Sequence, residues 1–286
     1  MMKNKKKQFL LLFAAMIILI LGVFWIINGN LDIQLRKIDV ISKNIPEDFD
    51  NFKIVQISDF HNTKFGRDNQ KLVDMIKKAA PDIVVITGDM IDARRLDIKT
   101  AISLAQELVK IAPTYYANGN HEARIKEYNG FKENISACGV FVLEDDHLEI
   151  VVENSEITLI GMSDPAFYME ETDKKRAAKI EEQLSRIIPD NENYKILLSH
   201  RPEIFESYVQ HKVDLVFSGH AHGGQFVLPK LGGLYAPGQG FFPSYYSGIY
   251  TKENTSMVVS RGIGNSLMPV RINNKPEIIV AELVKR

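Results

Sequence analysis

Five short apolar runs in this chain are each followed at once by aspartate, asparagine or histidine, and this arrangement constrains the fold more than any other feature. Runs of about four to eight mostly apolar residues are typical of strands that are buried on both faces. Ligand sites in open α/β sheets form at the carboxyl ends of the strands, so we expect these polar residues to meet at one edge. The runs, with the polar residues that follow them, are FKIVQIS (52–58) with Asp59 and His61, DIVVITG (82–88) with Asp89, PTYYANG (113–119) with Asn120 and His121, YKILLS (194–199) with His200, and VDLVFSG (213–219) with His220 and His222.

Helical patterns separate these runs. The segments 72–79 and 98–109 each have one apolar face, and 173–188 has a charged outer face. A sixth apolar run, EITLIGMS (156–163), precedes the third helical segment, and the region after residue 222 is rich in glycine and aromatic residues, which predicts hairpins and loops. Hydrophobic residues make up 45% of the chain, enough for a sizeable core. The pattern predicts one layered α/β domain with a mixed sheet or a sheet sandwich.

The N-terminal region contains a long apolar segment, FLLLFAAMIILILGVFWII (9–27). As a helix it would span about 28 Å, close to the thickness of a bilayer core. Lysines cluster before it and the charges after it cancel, so the positive-inside rule predicts a single-pass cell-membrane protein whose N-terminus is cytoplasmic. A cleaved signal peptide is the alternative, but no small-x-small site ends the run. The predicted divisions are a cytoplasmic basic segment (1–8), a transmembrane anchor (9–27), a linker with the first strand (28–50) and an extracytoplasmic domain (51–286).

Charge and cysteine content exclude some classes of protein. The formal net charge is −1, which gives no support to binding through phosphate neutralisation, so no nucleic-acid partner is expected. The single cysteine, Cys138, excludes an internal disulfide framework. Packing, with or without a metal, must therefore hold the fold together.

Histidine dominates the polar residues at the strand ends. Five of the 7 histidines in the chain lie there. One histidine at a strand end is usually a surface or hydrogen-bonded residue, but five together with carboxylates and an asparagine are hard to assign to turns. Imidazole and carboxylate without thiolate suit manganese, iron or zinc. The candidate ligands exceed what one tetrahedral site needs, whereas two divalent ions about 3.5 to 4 Å apart that share a carboxylate would use them all.

The ordered motifs D-x-H, G-D-x-x-D, G-N-H-E, a later H, and G-H-x-H resemble those of the calcineurin-like metallophosphoesterase family over residues 52–225. The resemblance implies a layered metallophosphoesterase-type β-sandwich flanked by helices, with two divalent metal ions as cofactors. It also implies that Asp89 bridges the ions, and that His121 protonates the leaving oxygen or stabilises charge on the phosphoryl group. The implied ligand sets are Asp59, His61, Asp89 and His222 for one ion, and Asp89, Asn120, His200 and His220 for the other.

We make two further predictions about residues in these motifs. Asp92 and Glu122 are expected to form hydrogen bonds that orient the histidines or the loops, and plain surface carboxylates are the alternative. His220 and His222 are expected to serve different ions, because side-chain direction alternates along an extended strand.

The residues that bind substrate remain unknown from the sequence. Guanidinium groups suit phosphate, although solvated surface arginine is the alternative. The aromatic stretch GQGFFPSYYSG (238–248) could line the way to a lipid or rest on the headgroup layer, and a packed hairpin explains it equally well. The arginines close to the motifs are Arg67, Arg94, Arg124 and Arg201.

The favoured hypothesis is a membrane-anchored phosphoesterase that hydrolyses a phosphodiester or pyrophosphate, with a phosphate-ester substrate that is lipid-linked or part of the cell envelope. The membrane segment and the extension GHAHGGQF further resemble bacterial UDP-2,3-diacylglucosamine pyrophosphatase-like proteins. Such a UDP-linked lipid is normally cytoplasmic, so the predicted topology argues against it. A metal-binding docking module without turnover and a broad-specificity nucleotide phosphodiesterase are the alternatives.

Overall fold

The computed structural model describes residues 2–168, 172–265 and 268–286. The helices are α1 (Met2–Leu31), α2 (Gln70–Ala79), α3 (Ile98–Leu108), α4 (Tyr128–Ala137), α5 (Asp173–Ile187) and α6 (Phe205–Gln210). The strands are β1 (Gln34–Ser42), β2 (Lys53–Ile57), β3 (Ile83–Thr87), β4 (Thr114–Ala117), β5 (Phe141–Val142), β6 (Asp146–Val152), β7 (Ser155–Gly161), β8 (Tyr194–Leu198), β9 (Leu215–Ser218), β10 (Val227–Leu228), β11 (Gly232–Gly233), β12 (Tyr235–Ala236), β13 (Gly240–Phe241), β14 (Gly248–Lys252), β15 (Thr255–Val259) and β16 (Glu277–Lys285).

Two sheets of six strands form the centre of the domain. The first has the order β1-β16-β2-β3-β4-β5 and the second has the order β14-β15-β9-β8-β7-β6. In the first sheet β2, β3, β4 and β5 are parallel, and in the second β7, β8, β9 and β15 are parallel. Each sheet therefore presents the carboxyl ends of several adjacent strands at one edge.

Three buried apolar clusters define the layers. Alternate residues of β3 face different clusters, since Val84 and Ile86 pack with α2, α3 and α4, whereas Val85 packs against the second sheet. The third cluster joins the outer face of the second sheet to α5 and α6, with Leu184 and Tyr208 fully buried. Because both faces of the central strands are covered, these strands are almost continuously apolar. The layers confirm the predicted sandwich flanked by helices.

The six predicted strands are all present, within two residues at each end, as β2, β3, β4, β7, β8 and β9. The apolar faces predicted for 72–79 and 98–109 bury Leu72, Ile76 and Leu108 under the first sheet, and α5 matches the third helical segment. The aromatic region folds into two-residue ladders and the β14–β15 hairpin, as expected.

Strand β16 lies inside the first sheet, although its sequence carried no such prediction. It pairs parallel to β1 and antiparallel to β2. Both neighbours come from the beginning of the chain, so the pairing depends on contacts between residues more than 200 positions apart, such as Lys37 with Val280. Residues 34–42 are consequently part of the packed domain.

Helix α1 includes one segment, Gln8–Leu31, that is long and apolar enough to cross a membrane. None of its most apolar window is buried against the rest of the chain. Its last turn contacts the domain, where Asn30 bonds with Arg271. The domain thus meets the apolar helix at a defined point.

Candidate metal centre

The polar residues predicted at the strand ends come together where the carboxyl edges of the two sheets meet. The side chain of Gln56, in β2, holds these edges together because its amide donates to Thr87 Oγ1 of β3 and to Ser218 O of β9, both at 2.9 Å. All seven expected metal ligands and His121 are buried. The two sheets therefore contribute side chains to a single buried polar cluster.

Asp59, His61 and His222 form one group of ligand-type atoms. His222 Nε2 lies 3.3 Å from both Asp59 Oδ1 and His61 Nε2. Such a triangle of one carboxylate oxygen and two imidazole nitrogens suits a borderline divalent cation. These are three of the four residues expected to hold one ion.

Asp89, His200 and His220 form a second group. His200 Nε2 lies 3.3 Å from Asp89 Oδ2 and 3.2 Å from His220 Nδ1. On its other side, His200 Nδ1 is 2.7 Å from the carbonyl oxygen of Thr87, which fixes the ring so that Nε2 faces the cluster.

Asp89 lies between the two groups. Its Oδ2 atom is 3.3 Å from His200 Nε2 and 3.6 Å from His61 Nε2, and it has no hydrogen-bond partner among the described residues. Asn120 Oδ1 is likewise buried with no such partner in that part of the chain. Buried polar oxygens without partners are costly in a folded protein. Two buried unpaired oxygens of this kind, one of them between His61 and His200, fit a pair of divalent ions that share Asp89.

The backbone of the ligands is strained. Five of the expected ligands have left-handed backbone angles although none is glycine: Asp59 (φ 51°), His61 (φ 47°), Asp89 (φ 53°), His220 (φ 63°) and His222 (φ 47°). Such a conformation costs about 1–3 kcal/mol for a non-glycine residue. The surrounding structure therefore imposes these positions against local preference, as is common at functional sites.

Two of the glycines that precede the ligands are needed for close approach. Gly88 has φ +81°, and a Cβ there would lie 2.7 Å from the Cα of Gly119 in the neighbouring loop. A Cβ at Gly219 would lie 2.4 Å from Asp59 Oδ2. The predicted tight turns after β3 and β9 are thus present, and they let the four loops after β2, β3, β4 and β9 converge.

Glu122 binds two of these loops to each other. It is fully buried, and its carboxylate accepts hydrogen bonds from the backbone N–H groups of Asp89 at 2.9 Å, Ile91 at 3.2 Å and Gly119 at 2.8 Å. Burial raises its pKa to about 8, whereas the three N–H donors favour the charged form. We favour the carboxylate, because both oxygens accept hydrogen bonds. The expectation of a loop-orienting role fits this arrangement.

His121 and Asp92 lie beside His61. The rings of His61 and His121 are 4.5 Å apart between centroids, and Asp92 Oδ1 is 3.4 Å from His121 Nδ1. His121 Nδ1 also accepts a hydrogen bond from the backbone N–H of Ala93 at 3.0 Å. A ring nitrogen that accepts carries no proton, so in the neutral ring Nε2 holds it. Burial lowers the pKa of His121, which favours this neutral form.

His220 and His222 do belong to different groups, but the expected reason is wrong. Strand β9 ends at Ser218, and both histidines have left-handed backbone, so alternation along an extended strand does not apply. In an extended strand, moreover, residues two apart share a face. The turn through Ala221 separates the two rings instead.

The buried imidazoles differ in charge. Burial lowers the pKa of His61 to about 3, so this ring is neutral at neutral pH. Burial also acts to lower the pKa of His200, but the neighbouring Asp89 carboxylate outweighs it and raises the value to about 10. Burial raises the pKa of Asp59 to about 6. A proton therefore resides in the second group before any cation binds.

Two arginines support the histidines of the second sheet. Arg201 donates to both oxygens of Asp164 at 2.7 and 2.9 Å, and its Nη1 lies 3.2 Å from His220 Nε2. Arg271 Nη2 lies 3.4 Å from His222 Nδ1. Asp164 follows the run 156–163 and so matched the strand-end pattern, although it was not singled out. No sequence signal pointed to Arg271.

The other arginines and the aromatic stretch divide between surface and core. Arg67 and Arg124 are exposed, whereas Arg94 binds Asp92. Phe241 and Phe242 are exposed, while Tyr245 and Tyr246 pack against the second sheet. Arg67 and Arg124 therefore match the alternative of solvated surface arginine, and Tyr245 and Tyr246 match the alternative of a packed hairpin.

A cleft of about 370 Å³ opens beside His61. A larger depression of about 680 Å³ near Asn191 and Asp214 contains none of the expected ligands. The smaller cleft is the one adjacent to the metal centre. Its lining includes Asn62, Lys64, Arg95, Asn265 and Pro269.

Comparison with known proteins agrees with this geometry. The sequence profile described as Calcineurin-like phosphoesterase matches residues 52–224. The Bacillus subtilis (strain 168) uncharacterized metallophosphoesterase YkuE is 30% identical over 256 residues, which cover 88% of this chain and 85% of that protein.

Two further relatives have informative names. A Danio rerio protein called transmembrane protein with metallophosphoesterase domain is 28% identical over 274 residues, covering 93% of this chain and 60% of that protein. Phosphodiesterase YaeI of Escherichia coli (strain K12) is 26% identical over 239 residues, covering 82% of each. This chain thus spans 60% of the zebrafish relative's length, which is less than two thirds.

Proposed function

The chain belongs to the calcineurin-like phosphoesterase family of metal-dependent phosphoric ester hydrolases, and we propose that α1 anchors it in a membrane, where it cleaves a phosphodiester or pyrophosphate of a lipid or cell-envelope substrate. The ligands we propose are Asp59, His61, Asp89 and His222 for one ion, and Asp89, Asn120, His200 and His220 for the other. Manganese, iron or zinc suits these donors.

The single observation that carries the membrane substrate is the position of the cleft. Its wall beside His61 includes Asn265 and Pro269. The side-chain amide of Asn265 donates to the carbonyl oxygen of Pro269 at 3.1 Å and lies 3.5 Å from Asn30 Oδ1, in the last turn of α1. With α1 in a bilayer, this wall of the cleft lies at the headgroup level. A substrate held in that layer would reach the centre without leaving the membrane surface.

The residues of the cleft suit a phosphate ester. Lys64 and Arg95 line it and are paired with Asp97 and Asp92 at 3.3 and 3.2 Å, so an anion would bind there in competition with these carboxylates. The volume of about 370 Å³ suits a headgroup rather than a whole lipid. The name of the relative YaeI favours a diester.

The chain's own groups supply proton transfer and orientation. When bound, the two ions would neutralise charge on the phosphoryl oxygens and activate the attacking water. His121, with its proton on Nε2, can donate it to the leaving oxygen. The N–H of Ala93 holds the ring in place on its Nδ1 side. The hydrogen bonds of Glu122 hold the loops around Asp89 in place, so the metal-binding side chains are positioned before substrate binds.

The full-length chain in lipid nanodiscs with manganese provides the test. The substrates are bis(4-nitrophenyl) phosphate, a nucleotide diester, a phospholipid and a UDP-linked diacylglucosamine lipid. We expect metal-dependent turnover that His121→Ala reduces by about 100- to 10,000-fold. His147→Ala, an exposed histidine in β6, is the matched control and should retain full activity.

Each outcome selects among the hypotheses. Preference for the phospholipid supports the proposal, and preference for the nucleotide diester replaces the lipid substrate with a soluble one. Preference for the UDP-linked lipid would support the narrower resemblance and would require a cytoplasmic domain.

Orientation is a separate question. The lysines before the apolar segment 9–27 favour a cytoplasmic N-terminus and an extracytoplasmic domain. Protease added to intact cells should then digest the domain. Digestion only in inverted vesicles would contradict the proposed orientation.

A further inference from the structure

Arg271 is a buried cation of the β15–β16 loop, and it lies behind a proposed metal ligand. Its Nη2 atom is 3.4 Å from His222 Nδ1. Its other contacts are with neutral acceptors, since Nε donates to Asn265 Oδ1 at 2.9 Å, Nη1 donates to Arg261 O at 2.7 Å, and Nη2 donates to Gly264 O. No ion pair joins it to a carboxylate within the described ranges. Burying a cation in this way is costly, which points to a local role.

The contacts of Arg271 favour orientation over substrate binding. Three acceptors fix the planar guanidinium, so the atom that faces His222 has one position. Arg271 is 2% exposed and does not line the cleft beside His61. The same loop also reaches His222 through Asn274, whose amide donates to the carbonyl oxygen of His222 at 2.7 Å. The backbone of His222 is therefore held from this loop by a hydrogen bond, and its ring is confined by packing against the fixed guanidinium, because Nδ1 carries the proton when Nε2 faces a cation and cannot then accept from Arg271.

The loop is in turn attached to α1 through Asn30. The backbone N–H of Arg271 donates to Asn30 Oδ1 at 2.8 Å, and Asn30 Nδ2 donates to the carbonyl oxygen of Arg271 at 3.0 Å. The Asn30 carboxamide thereby exchanges two hydrogen bonds with one residue, as a paired residue does in an antiparallel ladder. A second bond from Asn30 Nδ2 to Ile26 O, at 2.7 Å, fixes the carboxamide on the helix.

We propose that Arg271 is a positioning residue for His222, and that Asn30 makes this positioning depend on the seating of α1 against the domain. Only two side chains separate the end of the apolar helix from the metal centre. The inference rests on the proposed function for the membrane setting of α1 and for the identity of His222 as a ligand. The contacts themselves do not depend on the substrate.

The test uses the full-length chain in lipid nanodiscs, with Mn²⁺ affinity measured by titration calorimetry without substrate. Arg271→Lys keeps the charge but loses the planar guanidinium, and we expect the affinity of the Mn²⁺ site that includes His222 to fall about 10- to 100-fold. Asn30→Ala should change it in the same direction by about 3- to 10-fold. The matched controls are Arg186→Lys, an exposed arginine, and Asn28→Ala, two positions before Asn30.

Turnover of bis(4-nitrophenyl) phosphate separates positioning from substrate contact. We expect both variants to lower kcat with KM unchanged at saturating Mn²⁺. An unchanged Mn²⁺ affinity in Arg271→Lys, a rise in KM alone, or an Asn30→Ala variant that behaves like Asn28→Ala would each overturn the inference. If Arg271→Lys does not fold, the Asn30 comparison decides. Failure to cleave lipids would count against the proposed function but not against this one, because Mn²⁺ affinity is measured without substrate.

Discussion

The loops of the two sheets hold their metal-binding side chains in different ways. In the first sheet, Glu122 lies inside a ligand-bearing motif and binds the backbone of the two loops after β3 and β4. In the second sheet, His220 and His222 depend on Arg201 and Arg271, and Arg201 is itself held by Asp164. One half is supported by a buried carboxylate that accepts hydrogen bonds from the loop backbone, whereas the other is supported by arginines that contact the imidazole rings.

This difference predicts which loops a substitution in each half should disturb. Damage to the first half should remain in its loops, because Glu122 and its three backbone partners all lie in the loops after β3 and β4. Damage to the second half should reach the β7 and β15–β16 loops. Asp89 connects the halves, since its Oδ2 faces His61 on one side and His200 on the other.

The largest effect is expected where the halves meet. Asp89→Asn removes the shared charge, so we expect kcat/KM on bis(4-nitrophenyl) phosphate to fall at least about 1000-fold, or about 4 kcal/mol. Metal analysis should show that both ions are affected. Asp39→Asn, an exposed position in β1, is the control. Turnover within about tenfold of wild type would show that the halves do not share a ligand.

The support of the second half should be the next most sensitive. Arg201→Met leaves Asp164 buried without its partner, so we expect a loss of about 3–5 kcal/mol in the free energy of unfolding, measured by urea denaturation. Arg186→Met, which breaks an exposed pair with Asp145, should cost at most about 1 kcal/mol. Equal losses in the two variants would remove the contrast between buried and exposed support.

A smaller effect is expected in the first half. Glu122→Gln replaces one accepting oxygen by an NH₂ group that faces backbone N–H donors, so stability should fall by about 1–3 kcal/mol. Mn²⁺ affinity should fall with it, because the Asp89 loop loses its fixed position. Glu107→Gln, in an exposed pair on α3, is the control for melting temperature. A variant as stable as wild type would mean that the local support is dispensable.

The last effect concerns protons, and it amounts to at most about 1.4 kcal/mol for each pH unit. His200, in the second half, carries a proton before the cation binds because its pKa is about 10, while His61 in the first half is neutral. Binding displaces that proton, so Mn²⁺ affinity should rise with pH up to about pH 10, by at most about tenfold per pH unit. Below pH about 6, protonation of Asp59 should weaken binding further. Calorimetry in buffers of different ionisation enthalpy would count the protons, and a count of zero would contradict the assignment.

The same comparison explains what could be predicted from sequence. Strands, exits and most proposed ligands were predictable because an apolar run, a glycine and the ligand are adjacent in the chain, as in the stretch before Asp89. Glu122 was predictable for the same reason, since it follows His121. These features are local.

The remainder depends on long-range contacts. The position of β16 follows from pairing with β1 and β2 at the other end of the chain. The contact of Arg271 with His222 and Asn30 requires the folded loop, and polar residues in a loop give no periodic signal. The left-handed backbone at His220 and His222 is imposed by packing, so the strand alternation that we expected from sequence had no means of revealing it.

The connection between α1 and β1 determines which molecules the domain could reach from a membrane that holds α1. Helix α1 ends at Leu31 and β1 begins at Gln34, with Ile33 buried in the core and Asp32 paired to Lys275 at 2.7 Å. A tether this short cannot act as a flexible arm. With α1 inserted, the catalytic edge stays at one height above its own leaflet, so the enzyme would work in cis on molecules that diffuse to it laterally and would leave those on a facing membrane untouched.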